Sequence, residues 1–208
     1  IRRHSASKGA RPQTVRLNWI IFKENKKFIF VVGALFVLGL GALPIGLVLL
    51  KAKELGSIGN VPLMYFFYSL TFVMVAVPLG KLADKIGEKI IIASGFLLAA
   101  VAYIGLALTS RFSFLILFFI VLGIYSAATD GMQRMLAAKS LRGELVATGQ
   151  GFLSMALGFS SLGAGIIGGL LWTVINSKAA LFYAAFISII GLILFTIIIS
   201  ITIRKEFV

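Results

Sequence analysis

The chain has 208 residues, of which 60% are hydrophobic and 13% charged, and its mean hydropathy is +1.05. A soluble domain of this size cannot hide that much apolar surface, because a small globule keeps too large a share of its surface in water. The net charge of +13 does not point to nucleic acid either, since the cations lie between apolar runs and in the N-terminal tail rather than on one patch.

Residues 1–27 form a basic linker. Arg2 to Pro12 is polar and cationic. Arg16 to Lys27 mixes cations with Leu17, Trp19, Ile20, Ile21 and Phe22. That mixture suits either a helix lying on an anionic leaflet or a solvated linker. The segment is too long and polar for a signal peptide and has no clear cleavage site. Its start at Ile1 reads as an internal boundary, with more chain expected ahead of it.

Six apolar runs follow, at about 28–50, 61–79, 90–109, 112–138, 145–172 and 179–203. Each is close to the ~20 residues that cross a bilayer as a helix. Lipid offers no partner to backbone N–H and C=O groups, and the runs lack the alternation of barrel strands. The prediction is therefore an all-α membrane protein with one six-helix transmembrane domain over residues 28–208.

The spans differ in character. The first carries Gly33, Gly39, Gly41, Pro44 and Gly46 and should bend near Pro44. The second opens at Asn60-Val61-Pro62, a capping residue followed by a proline suited to a first turn, and has Pro78 at its far end. In the fifth, Gly151, Ser154, Gly158, Ser161, Gly165, Gly168 and Gly169 form a stripe that would admit another backbone. The sixth is mostly Ile, Leu and Phe from Ile187 to Ile203, as expected of a lipid-facing helix.

Short loops force neighbouring spans to run antiparallel, so alternate loops can be compared. One side holds eight cations in the tail, Lys81, Lys85 and Lys89, Lys139 and Arg142, and Arg204 and Lys205. The other holds Lys51, Lys53, Arg111 and Lys178. The bias predicts both termini in the cytoplasm, in the cell membrane.

Two charged groups stand out. Gly80-Lys81-Leu82-Ala83-Asp84-Lys85-Ile86-Gly87-Glu88-Lys89 joins the second and third spans as a tight loop, with Gly80 and Gly87 permitting the turn. Asp130 and Arg134 are four apart on one helix face and can pair. Counting ~1.5 Å per residue from Phe112, Asp130 lies about 27 Å in, near the cytoplasmic end of a ~30 Å core. We expect Asp84, Lys85, Asp130, Arg134 and Arg142 to form a cytoplasmic charge network that stabilises one access state. The plainer reading is a static topology anchor.

The GKLADKIGEK segment closely resembles the G-x-L-[AS]-D-[RK]-x-G-[RK]-[RK] loop of the major facilitator superfamily, with Glu88 where a basic residue is usual. Thr129-Asp130-Gly131-Met132-Gln133-Arg134, followed by Leu141-Arg142-Gly143, resembles the C-terminal half of bacterial facilitators. The likeness covers nearly the whole chain from Phe28.

It implies one half of a facilitator-type fold, built as 3+3 inverted repeats. It further implies Gly80, Asp84, Lys85, Gly87 and Lys89 at a cytoplasmic gate, and an N-terminal six-helix half as partner. In that family the first and fourth helices of each half line the cavity. This favours Tyr125, Ser126 and Thr129 as solute contacts over Tyr68 on the second span.

The function implied is secondary active transport of a small solute by alternating access. The alternatives are a half-transporter that dimerises, or a non-transporting scaffold or sensor on the same fold. Neither an enzyme nor a cofactor is expected, because no dinucleotide fingerprint, phosphate loop, metal-ligand cluster or nucleophile constellation appears. No span has a charge near its centre, so any ion-coupling group is expected in the other half.

Overall fold

A computed structural model describes residues 25–56, 59–141 and 145–204, with side chains to residue 198. Most of the basic linker, and Arg142, lie outside the described residues. Among the described residues, seven helices build six spans long and apolar enough to cross a membrane. The first span is split into α1 (Lys26–Leu40) and α2 (Ile45–Leu55). The others are α3 (Asn60–Ile86), α4 (Glu88–Leu108), α5 (Phe112–Lys139), α6 (Val146–Val174) and α7 (Ser177–Arg204).

The expected bend in the first span is a complete break. Pro44 lacks the N–H that would bond one turn back, and its ring excludes the carbonyl of Leu40. It also disfavours the helical region at Leu43. The chain closes α1 with short bonds from Gly41 N–H to the Leu38 carbonyl (3.1 Å) and from Ala42 N–H to the Gly39 carbonyl (3.0 Å). The helix restarts when Leu47 N–H reaches the Pro44 carbonyl at 2.9 Å. Gly41 is needed here for space, since a Cβ would sit 2.7 Å from the backbone nitrogen of Ser188 on α7.

The charged segment after the second span is not a loop. α3 continues through Pro78 and the lysines to Ile86, and α4 begins at Glu88. The whole turn is Gly87, at φ +93° and ψ 142°, with its N–H on the Ala83 carbonyl at 2.8 Å. That backbone conformation suits glycine and little else. The apolar count fell short because Lys81, Asp84 and Lys85 are exposed on a helix that continues past its apolar stretch.

α4 packs against α5 and α7, α3 against α5, and α1 against α6 and α7. Two apolar cores result. One, nearer the Gly87 turn, contains Phe28, Leu35, Ile92, Phe96, Leu136 and Leu153. The other, toward the opposite end, contains Val48, Met64, Tyr103, Leu115, Phe119 and Leu181. Tyr125 packs against both.

α7 is two-sided. Ala180, Leu181, Ala184 and Phe195 are buried, while Phe182, Phe186 and Ile193 face outward. The buried face of α6 is Gly149, Leu153, Ser160, Ala164 and Gly168. Most of the small-residue stripe read from the sequence lies elsewhere on the helix. A Cβ at Gly151, Gly158 or Gly169 would meet nothing within 4 Å.

Candidate functional site

The break in the first span opens a cavity of about 200 Å³ between the two cores. Its walls come from the unwound residues Ala42, Leu43 and Pro44 with Ile45 and Val48 of α2. The remaining walls are Tyr68 of α3, Tyr103 of α4, Leu122, Tyr125, Ser126 and Asp130 of α5, and Ser161 of α6.

Tyr68 reaches the cavity because α3 lies directly on α5. Gly123 makes this possible, since a Cβ there would be 2.5 Å from the Tyr68 carbonyl oxygen. The Tyr68 hydroxyl and Ser126 Oγ are 2.8 Å apart and share a hydrogen bond. Asp130 lies four residues along α5 from Ser126, so the two share one face of the helix. A line of polar groups thus runs from α3 to an acidic side chain. The Tyr125 ring meets Phe96 edge-on at 5.2 Å between centroids. Tyr103 is buried and lines the cavity beside the unwound residues.

Of the four residues read as possible solute contacts, Tyr68, Tyr125 and Ser126 line this cavity. Thr129 does not. It is buried, its hydroxyl donates to the Tyr125 carbonyl at 2.9 Å, and its methyl lies against Gly95 of α4. Asp130 lines the cavity although it was read as a gate residue. Eight residues separate it from Leu122, so at ~1.5 Å per residue the α5 wall is about 12 Å tall, with Asp130 at the cytoplasmic-motif end.

Asp130 and Arg134 do not come within ion-pair distance, although the Arg134 charge acts on Asp130. The Arg134 guanidinium donates to Ser154 Oγ of α6 at 3.2 Å, and Gln150 caps the Arg134 carbonyl at 2.7 Å. Asp84 and Lys85 are exposed on the last turn of α3, and among the described residues neither meets Asp130 or Arg134. Gly80 lies within α3 with open space around it, Gly87 makes the turn, and Lys89 is half-buried in the first turn of α4.

Two ionic contacts were not foreseen. Glu88, the departure from the loop pattern, is buried and accepts from Lys139 Nζ at 2.9 Å. At the other end of the bundle, Lys51 is only 5% exposed. Its ammonium donates to Glu54 Oε2 at 3.0 Å and to Ser177 Oγ at 3.1 Å. Ser177 in turn donates to Glu54 at 2.7 Å, closing a three-membered cluster between α2 and α7. The three-residue spacing of Lys51 and Glu54 was a usable signal for their pairing, but nothing local pointed to Ser177.

Comparison with known proteins gives two findings. The family model described as Major Facilitator Superfamily matches residues 29–206. An uncharacterized MFS-type transporter of Methanocaldococcus jannaschii is 29% identical over 131 residues, which is 63% of this chain and 33% of that protein. The match therefore spans about a third of the relative's length.

Proposed function

Since this chain belongs to the major facilitator superfamily, we propose that it is the C-terminal six-helix half of a secondary active transporter that moves a small solute by alternating access. The observation that supports this most directly is the cavity at the broken first span, lined by Tyr68, Tyr125, Ser126 and Asp130. A polar recess inside an otherwise apolar bundle is costly unless something binds there.

The proposed partner is an N-terminal half seated on α3 and α6. These helices leave Phe66, Val73, Met74 and Val77, and Phe159, Leu162, Ile166 and Leu170, exposed. Of the six spans, these two are the least buried within the bundle. The partial overlap with a longer relative supports the same reading.

The cytoplasmic gate is assigned to Gly80, Asp84, Lys85, Gly87 and Lys89, together with Arg134 and Arg142. The rigid one-residue turn at Gly87 and the reach of Arg134 to α6 support it. Movement of α6 against α5 would strain the Arg134–Ser154 contact.

The test is uptake of a panel of labelled small solutes by vesicles containing the full-length protein. At least one solute should be taken up, and Tyr68→Phe and Ser126→Ala should each slow it. Neutralising Asp84 and Arg134, singly and together, should alter the rate. Vesicles that move no solute would reject transport. Unchanged rates in all three charge variants would reject the gate.

A further inference from the structure

We infer that the cavity at the break accepts a small organic cation, with its charge on the Asp130 carboxylate and its apolar body against tyrosine and aliphatic walls. This rests on the reading of that cavity as the solute site. It adds the class of solute.

The charge balance carries the argument. Asp130 is the one ionisable carboxylate or ammonium group among the lining residues, and no cationic side chain joins it there. The cation four residues along, Arg134, donates to Ser154 on the neighbouring helix while its charge acts on Asp130. Among the described residues no cation lies within ion-pair distance of Asp130. Asp130 is exposed while it lines the cavity, so its acceptor oxygens are open to a cationic ligand.

The remaining walls suit the same ligand. Tyr68, Tyr103 and Tyr125 bring three aromatic rings to a space of about 200 Å³, and aromatic faces attract ammonium groups within about 6 Å. Leu43, Val48 and Leu122 offer contact to a hydrocarbon body. A divalent metal ion fits poorly, since it takes roughly six or more oxygen ligands. Among the described residues no group of three acidic or histidine side chains stands together.

The test uses the full-length protein in lipid nanodiscs, titrated calorimetrically with three benzyl probes. These are benzyltrimethylammonium, neutral N-benzylacetamide and anionic phenylacetate. The cation should bind saturably and on the order of tenfold tighter than the other two. Asp130→Asn should remove that advantage, and Asp130→Glu, which keeps the charge, should largely retain it.

If Asp130→Asn fails to fold, a single cysteine at Ser126 in a background free of other cysteines reads the same site. The cation, and not phenylacetate, should then protect Ser126→Cys from alkylation. Equal binding of all three probes, cation binding indifferent to Asp130→Asn, or no protection of Ser126→Cys would each overturn the inference. Uptake of an anionic or neutral solute that survives Asp130→Asn would overturn it and leave transport standing. Cation binding without uptake of any solute would do the reverse.

Discussion

The Lys139 ammonium donates to the Glu88 carboxylate at 2.9 Å, tying the last turn of α5 to the first residue of α4. Glu88 replaces the basic residue usual at its place in the motif, and Lys139 explains how an acid is accommodated there. Lys139 is 58% exposed, so the pair is worth about 1 kcal/mol or less. Glu88→Lys should lower the unfolding midpoint in detergent, because it sets two ammonium groups together. Adding Lys139→Glu should recover most of the loss. Additive losses in the double variant would show that the two residues do not interact.

The cluster of Lys51, Glu54 and Ser177 should respond asymmetrically. Glu54→Gln leaves a buried ammonium without its carboxylate, at a cost of about 3 kcal/mol. Lys51→Met removes the buried charge and fills its space, leaving only the half-exposed Glu54, and should cost less than about 1 kcal/mol. Ser177→Ala should fall between them. Thermal unfolding of the three proteins ranks the losses, and a larger loss for Lys51→Met than for Glu54→Gln would contradict the burial of Lys51.

Glycine substitutions in the first span separate close contact from open space. Gly41→Ala forces a methyl group against the Ser188 backbone and should destabilise by about 2 kcal/mol. Gly33→Ala, seven residues past the start of α1, meets nothing within 4 Å and should be neutral or slightly stabilising. Equal effects on the unfolding midpoint would mean that α1 and α7 do not approach as closely as described.

The chain has no cysteine, which makes its orientation simple to probe. In a full-length protein free of other cysteines, Lys85→Cys should react with an impermeant thiol reagent only after cells are opened. Lys178→Cys should react in intact cells. The opposite pattern would invert the proposed topology and move the Gly87 turn to the cell exterior.

Much of the fold was legible because its determinant is local. Six stretches are long and apolar enough for hydrocarbon, and backbone polarity then forces helices. Pro44 announced a disruption, and Gly87 announced a turn. The extent of each was less visible. Whether proline bends or breaks a helix depends on what fills the gap, and here the Ser188 backbone lies against Gly41 and the Tyr183 hydroxyl donates to the Leu40 carbonyl at 3.1 Å.

The chain alone settled the solvent, the helical class, the number of spans and the residues that can carry charge, because these follow from composition taken about twenty residues at a time. Tertiary structure decided the partnerships. It gave Arg134 a partner in Ser154, brought Asp130 to a cavity beside Tyr68, and joined residues as distant as Lys51 and Ser177. A side chain's hydrogen-bond partner is set by how helices cross, and those crossings are fixed by glycines and packed faces far apart in the chain.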